Sequence, residues 1–413
     1  MIGAGISGLA SAIALSRAGH RVSVYERYEA AKPLGSGLMI QPTGLAALER
    51  LGLRQSLEAL GHRIYRLHGT TSGGRTIFDL DYRGLDPGLY AVAVHRAALH
   101  GVLWSGFERS GARLETACAV SRLEPAQNGR FQLVAGERQL PAADLIVDAS
   151  GARSVLRRFV GDREPTAFAY GAVWATVTDT DIAPQTLEQR YVDARIMIGH
   201  LPLGRIAPDG ERLAAFFWSL KPKDYDSWRA RFEAWRDQVA GLWPALRPVL
   251  SAMRGPDDLT PAAYAHFTGR RLWNRNLVLI GDAAHMTSPQ LGQGANQGLI
   301  DAVVLSDALA CRPDPTDAVD LYQRLRRRHV RFYQYASAAM TPFFQSDSRL
   351  LAMARDLAFD PLKRIPYMHR EMVRTLAGLK TGLFTSAHAD AIVNCALTND
   401  DVAAVAQPVG GGR

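Results

Sequence analysis

Cysteine is scarce. The 413-residue chain carries three, Cys118, Cys311 and Cys395. Their spacing fits neither a metal site nor a disulfide framework, and the odd count argues against structural bridging. No metal is expected, and a reducing cytoplasm is the natural compartment. Long apolar runs are missing as well. No stretch of 18 or more apolar residues occurs, so no membrane span is expected. The N-terminus lacks the basic region and apolar core of a secretory signal. Lysine is rare, supplying five of the 48 Lys and Arg. The net charge of +8 is therefore mostly arginine, and it is scattered. Its densest run, Arg324-Leu325-Arg326-Arg327-Arg328-His329, lies in a helical pattern and reads as a solvated helix face. No nucleic-acid-binding motif accompanies it, so no nucleic-acid partner is expected.

What is present is ordinary in bulk, with 47% apolar and 21% charged residues, and the length suggests two or three domains. The informative features are local. Gly3-Ala4-Gly5-Ile6-Ser7-Gly8 opens the chain as a dinucleotide fingerprint. Gly3 permits the tight turn, Gly5 lets backbone approach a pyrophosphate, and Gly8 permits close helix–strand packing. The N–H groups of the helix that follows, at Ile6 and Ser7, face the phosphates. The helix ends at Gly19 as a left-handed cap would. Arg21 to Tyr25 has strand composition, and Glu26 ends it, placing a carboxylate for ribose hydroxyls with Arg27 beside it. Only Met1 and Ile2 precede Gly3, whereas strands usually run ~5–6 residues. The expectation is that the coding start lies further upstream.

From about residue 165 the chain changes character. Tyr170 to Val177, Gln189 to Ile198 and Leu213 to Leu220 read as strands, the last apolar on both faces. Asp226 to Val249 is helical and Trp-rich. Asn276 to Ile280 returns to a buried strand immediately before Gly281-Asp282-Ala283-Ala284-His285-Met286-Thr287-Ser288-Pro289-Gln290-Leu291-Gly292-Gln293-Gly294-Ala295-Asn296-Gln297-Gly298. From Pro315 the pattern is mostly helical. The expected division is a nucleotide domain over 1–164 and 269–312, an inserted substrate domain over 165–268, a helical region over 313–405 and a disordered tail over 406–413.

The N-terminal fingerprint and this second run, about 270 residues apart, resemble the FAD-binding scaffold of class A flavoprotein monooxygenases, the p-hydroxybenzoate hydroxylase-like family. The likeness covers roughly residues 1–300, dense in the FAD domain and thin in the middle. It implies an α/β fold: a Rossmann-like FAD-binding domain with an inserted β-sheet substrate domain and a helical C-terminal region. It places Asp282 on the ribityl chain. It also places Pro289, Gly292 and the N–H groups of Gly294, Ala295 and Asn296 at the flavin, where a helix N-terminus stabilises negative charge. Gly37, Gln41 and Arg96 carry over as further FAD contacts, from Gly35-Ser36-Gly37-Leu38-Met39-Ile40-Gln41-Pro42 and His95-Arg96-Ala97-Ala98-Leu99. His285 is expected to be structural, bonded to backbone. A third motif is partial: in Asp148-Ala149-Ser150-Gly151-Ala152-Arg153-Ser154-Val155-Leu156-Arg157, Ser150 stands where the family usually has Asp, which puts the NAD(P)H interaction in doubt more than the fold.

The resemblance implies monooxygenation with FAD as cofactor and NAD(P)H and O2 as co-substrates. The chemistry would run through a flavin C4a-hydroperoxide, with no catalytic side chain. The substrate is expected to be aromatic, polyketide-like or otherwise apolar, walled by Trp174, Phe216 and Trp218. No second glycine fingerprint occurs, as many flavoprotein reductases have, nor the Trp-x-Trp-x-Ile-Pro pattern of flavin-dependent halogenases. A flavin-dependent oxidase, dehydrogenase or reductase on the same scaffold, and a non-catalytic FAD-binding protein, stay open as alternatives. Phe343-Phe344-Gln345 and Tyr367 to Phe384 are expected to form a helical cap over the substrate entrance or an interface, by packing rather than by membrane docking.

Overall fold

Met1 and Ile2 lie at the centre of a parallel sheet. In the computed structural model, which describes residues 1–30, 36–126, 129–161, 163–363 and 365–394, Ile2 is bridged in parallel to Tyr25 on one side and to Asp148 on the other. Ser23–Tyr25 pairs onward with Arg113–Glu115, and Ile146–Asp148 with Leu277–Leu279, all parallel. Trp273–Asn274 closes one edge antiparallel. A parallel sheet is covered on both faces and needs apolar side chains in both directions. Ile146, Val147, Leu277, Val278 and Leu279 are accordingly all buried. Helices Ile6–Arg17 and Gly294–Cys311 pack against each other beside this sheet. Ser7 sits where their backbones come closest: a Cβ on Gly281 or on Gly298 would collide with its hydroxyl.

Two smaller sheets accompany the parallel sheet. Gly37–Ile40, Ala91–His95 and His62–Ile64 form one antiparallel sheet. Val120–Pro125, Phe131–Ala135 and Arg138–Gln139 form a meander.

The middle of the molecule is one seven-stranded mixed sheet. Its order is Thr260–Ala262, Gly171–Thr178, Leu213–Leu220, Ile196–Gly204, Thr186–Val192, Arg66–Thr71, Thr76–Asp81. The sheet is thus wider than the 165–268 segment expected to form it. Arg66–Thr71 joins it in parallel with Thr186–Val192 and brings Thr76–Asp81 as a hairpin partner.

The two faces of this sheet serve different cores. On the outer face Val173, Ala175, Ile198, Ala214, Phe216 and Trp218 pack under the helices Tyr225–Ala230, Phe232–Leu242 and Arg247–Ser251, through Trp228, Trp235 and Trp243. On the inner face Met197, Leu201, Leu203, Ala215 and Phe217 join the core built around the parallel sheet.

Helix Pro315–Phe344 opens on Asp314, whose carboxylate accepts from the N–H groups of Thr316 and Asp317. Helices Arg349–Lys363 and Pro366–Leu376 lie against strand Thr76–Asp81. Ala389–Asn394 packs on Pro42–Arg50. The tail over 406–413 and Cys395 lie outside the described residues. Among the described residues no helix is long and apolar enough to cross a membrane.

Candidate FAD and substrate site

The glycines of the opening turn divide by what surrounds them. Gly3 has φ +93°, and a Cβ there would stand 2.7 Å from Ala149 O. A Cβ on Gly8 would collide with Gly3 O. Both positions are therefore demanded by the protein's own packing. Gly5 is different: a Cβ there meets no protein atom within 4 Å. It caps helix Ile6–Arg17, which has no side-chain cap, so the first N–H groups are left for an external acceptor. Glu26 is buried at the end of its strand. Its Oε2 accepts from Ala4 N–H at 2.8 Å and its Oε1 from Tyr28 N–H at 3.1 Å. Arg27 beside it is exposed, and its neighbour Tyr28 holds the guanidinium 4.7 Å from its ring centre.

The partial motif forms a clamp. Asp148 is fully buried, and its Oδ1 accepts from both the N–H and the hydroxyl of Ser150, at 2.9 and 2.5 Å. Its Oδ2 accepts from the Ser154 hydroxyl at 2.5 Å. Ser150 thus secures a carboxylate two residues upstream instead of supplying one. Arg157 donates from Nε to Ala283 O at 2.9 Å and from Nη2 to Asp282 O at 3.1 Å, and lies over the Phe267 ring. Burial lowers its pKa from the usual arginine value. The segment fixes the turn Asp282–His285 from beneath, and leaves the Asp282 side chain exposed.

Beyond that turn, Pro289–Leu291 makes a single 3-10 turn, and Gly292 follows in the left-handed region at φ +60°. Helix Gly294–Cys311 then starts without a side-chain cap. Its first intrahelical bond runs from Gln297 N to Gln293 O, so the N–H groups of Gly294, Ala295 and Asn296 have no acceptor within the helix. The Asp282 carboxylate lies beside this open end, 3.9 Å from the position of a Cβ on Gly294. Gln290 donates to Gln345 Oε1 at 3.0 Å, and Gln345 donates to Gly171 O at 3.3 Å. The loop is thereby tied to the end of an inner strand of the middle sheet.

Two expected FAD contacts, Gln41 and Gly37, and the side chain of a third, Asn296, have structural duties as well. Gln41 is fully buried, and its Oε1 accepts from Tyr82 OH at 2.5 Å. Its side chain braces Tyr82 through Oε1, while its Nε2 has no partner among the described residues and lies 3.6 Å from the position of a Cβ on Gly292, open to a ligand at the loop. The Asn296 amide accepts from Gln41 N–H and donates to Met39 O and Gly292 O. It pins strand Gly37–Ile40 to the loop, so what Asn296 offers a ligand is its backbone N–H. Gly37 is required by sheet-to-domain packing, because a Cβ there would collide with Leu203 and crowd Ala215. Arg96 opens helix Arg96–Glu108 at the end of the neighbouring strand, with its side chain exposed.

Sequence reasoning did not find the buried node behind the loop. Asp301, fully buried, accepts from Gly281 N–H at 2.8 Å, His285 Nε2 at 2.6 Å and Arg326 Nε at 2.7 Å. Burial alone would raise the Asp301 carboxyl, but His285, Arg326 and these hydrogen bonds outweigh it and hold it well below the usual carboxylate range. Arg326 also donates to Gln297 Oε1 at 2.5 Å and to His329 Nδ1 at 3.0 Å. His329 Nε2 donates to Gly378 O at 2.8 Å. His285 is therefore structural, but its partner is a carboxylate and not backbone. The basic run is not uniformly solvated either: Arg327 and Arg328 are exposed while Arg326 and His329 are buried. One signal was readable, since Asp301 interrupts the apolar run from Leu299 to Leu305.

Opposite the loop stands the inner face of the middle sheet. Trp174 lies on it and Phe217 is its cross-strand partner, with ring centres 4.5 Å apart. Trp174 Nε1 donates to Tyr264 OH at 2.9 Å, and burial pushes that phenol up to about 12. Thr176, two residues along the same face, touches the Ser36 hydroxyl of the nucleotide domain at 2.9 Å. The Phe217 ring occupies the space a side chain on Gly199 would need. Phe216 and Trp218, expected to wall the substrate, point the other way. They meet Trp235 at 6.0 and 5.9 Å in the outer core. All eight residues from Leu213 to Leu220 except Ser219 are apolar, so no alternation told which face was which.

The model of one family, described as an FAD binding domain, matches residues 1–333. The chain belongs to this FAD-binding family. It is 31% identical over 342 residues to 3-amino-4-hydroxybenzoate 2-monooxygenase of Streptomyces cremeus, covering 79% of this chain and 82% of that protein. It is 27% identical over 365 residues to an FAD-dependent urate hydroxylase of Klebsiella pneumoniae, covering 80% and 86%. The crystal structure of Klebsiella pneumoniae HpxO complexed with FAD and uric acid matches with a TM-score of 0.77 at 21% identity, over 91% of this chain and 96% of that one. Pseudomonas aeruginosa PqsL in complex with 2-aminobenzoylacetate matches with a TM-score of 0.75, also at 21% identity, over 85% and 97%.

The residues of this FAD-binding chain fit the cofactor. The space at Gly5 and the uncapped helix behind it suit a pyrophosphate, Glu26 suits the adenosine ribose, and the exposed Asp282 suits a ribityl hydroxyl. The open N–H groups at Gly294 to Asn296 suit the anionic edge of a reduced ring.

Proposed function

We propose that this FAD-dependent monooxygenase uses NAD(P)H and O2 to hydroxylate or epoxidise a flat aromatic or other apolar small molecule held between the Pro289–Gly294 loop and the inner face of the middle sheet. The reading is carried by one juxtaposition: an uncapped helix N-terminus beside Asp282, tied through Gln290 and Gln345 to the strand that bears Trp174. FAD, when bound, supplies the redox chemistry. The chain's own residues do the rest. Gly3 to Gly8, Glu26, Arg27 and Arg96 bind and orient the cofactor, and Asp282 positions its ribityl chain. Gly294, Ala295 and Asn296 lend N–H groups to a developing negative charge. Trp174 and Phe217 give the substrate an apolar wall that excludes water, and Tyr264, engaged by Trp174, stays a neutral phenol. The relatives support the substrate class, since their names include an aminohydroxybenzoate monooxygenase and urate hydroxylases. Cys118 and Cys311 are free, which suits a reducing cytoplasm.

The decisive experiment supplies purified holoenzyme with aromatic candidates, NAD(P)H and isotopically labelled O2. NAD(P)H oxidation should accelerate when the correct substrate is added, and one labelled oxygen atom should enter the product. A product free of that label would move the chain to a dehydrogenase or reductase reading.

A further inference from the structure

Helices Arg349–Lys363 and Pro366–Leu376 lie side by side over the edge strand Thr76–Asp81, and each turns its outer face to solvent. Leu350, Met353, Ala354, Leu357 and Ala358 make a stripe on the first helix at helical spacing. All five are exposed, and Leu350 is 78% accessible. Ile365 and Tyr367 continue the apolar surface on the second helix. A third element joins them: Lys380 and Ser386 are bridged, and the turn between them carries Leu383 and Phe384, the latter 83% accessible. This tip is not a loose loop. Thr381 N–H donates to Thr385 O. The buried Lys380 ammonium donates to Leu383 O and pairs with Glu371, which lies one turn beyond Tyr367. An ion pair thus holds two large apolar side chains out in water, where their burial is forgone.

Among the described residues, the unpaired charges around this surface are cationic. Arg349 and Arg370 are exposed and have no acidic partner among the described residues. The nearby acids are taken: Glu371 by Lys380 and Arg374, Asp356 by Arg355, Asp347 by Lys221 and Tyr170. A second copy of the chain is a poor occupant, because a two-fold contact sets the same patch against itself and its cations would meet cations. A surface that is apolar inside and anionic at its rim satisfies both features.

We propose that the outer faces of these two helices and the Leu383–Phe384 tip form a docking surface for an anionic lipid bilayer, with the tip and stripe lying in the interface and Arg349 and Arg370 on the headgroups. The proposal stands apart from the monooxygenase reading, because vesicle binding requires no turnover.

The test is co-sedimentation of the full-length holoprotein with vesicles of phosphatidylcholine alone or mixed with phosphatidylglycerol. Partitioning should be at least about tenfold stronger to the anionic vesicles and should weaken when salt rises well above physiological strength. The double variant Leu357→Ser/Phe384→Ser should lower it by about tenfold or more while FAD content and Tm stay at wild-type values. Arg349→Gln/Arg370→Gln should remove the preference for anionic lipid. Absence of binding, equal binding to neutral vesicles, or unchanged binding by the double variant would overturn the proposal. A wild-type dimer in solution that the double variant converts to monomer, without vesicle binding by either, would assign the face to a second copy instead.

Discussion

Gly5 and Gly8 are three residues apart in one motif, yet they answer to different constraints. Gly8 is required by the protein, since a side chain there would run into Gly3 O. Gly5 is required only by whatever occupies the open space before the helix, since its φ of −78° and its surroundings accept a side chain. The two substitutions should therefore part company. Gly5→Val should abolish FAD occupancy while the FAD-stripped protein melts within ~0.5 kcal/mol of wild type, as a neutral surface change does. Gly8→Val should destabilise the stripped protein by about 1–3 kcal/mol through overpacking. Thermal unfolding of stripped protein, with flavin content read by absorbance, separates them. Retained FAD in Gly5→Val would remove the pyrophosphate from this turn. The same residue scale shows what sequence could deliver. Gly3 and Gly8 were legible because close packing of backbone restricts residue type at fixed spacing, whereas Gly5, Glu26 and Asp282 were read from what a bound nucleotide would need. Gly37 and the side chains of Gln41 and Asn296 also answer to their neighbours, which spacing alone did not show: Leu203 for Gly37, Tyr82 for Gln41, Met39 and Gly292 for Asn296.

At the level of elements, the faces of one sheet decide which aromatic residues meet substrate. Strand Leu213–Leu220 is buried along almost its whole length, so its pattern is silent on direction, and only its register with Gly171–Thr178 places Phe217 beside Trp174 and Phe216 behind. The inclusion of Arg66–Thr71 and Thr76–Asp81 was equally hidden, because it rests on pairing with residues more than 100 positions away. The two faces predict opposite phenotypes. Phe216→Ala should cost about 3–5 kcal/mol of stability by opening the Trp-lined outer core, with the ratio of product to NAD(P)H consumed unchanged in the folded enzyme. Phe217→Ala should lower that ratio and raise H2O2 release, because it opens the face turned to the nucleotide domain to water. Product and peroxide yields per NAD(P)H are the measurement, and an unaltered ratio in Phe217→Ala would take Phe217 out of the substrate wall. The node at Asp301 joins three elements in the same way. Asp301→Asn gives one acceptor oxygen to three converging donors and leaves the Arg326 charge uncompensated, at a cost of about 3–5 kcal/mol. Asp301→Asn combined with Arg326→Met should cost less than the two single changes added together. Strict additivity in urea unfolding would show that the pair is not coupled.

For the whole molecule, the buried node sets how stability responds to acid. Arg326 Nη1 donates to His329 Nδ1, and His329 Nε2–H donates to Gly378 O. Both ring nitrogens are thus committed to a neutral imidazole, and a second proton would set an N–H against the guanidinium. Burial first, and then the Arg326 charge, hold His329 down at about 3, against 6.5 for a free imidazole. Asp301 is displaced in the same direction relative to a free carboxyl. Both groups bind protons more readily in the unfolded chain. Their stabilisation is therefore complete above the unfolded values and is lost as pH falls, for His329 across the window from 6.5 to about 3. Asp301 adds its own loss only below the ordinary carboxylate range. Each proton taken up by the unfolded chain alone changes stability by about 1.4 kcal/mol per pH unit, so Tm should decline steadily as pH is lowered through this window. His329→Gln keeps a donor for Gly378 O and an acceptor for Arg326 but cannot titrate. It should be somewhat less stable at neutral pH, with a shallower loss of Tm between pH 6.5 and 4. Calorimetry of both proteins across that range is the check. Parallel Tm curves would mean that His329 binds its proton without opening the node, and that the link from Gly281 through Asp301 and Arg326 to the C-terminal segment yields more readily than its burial implies.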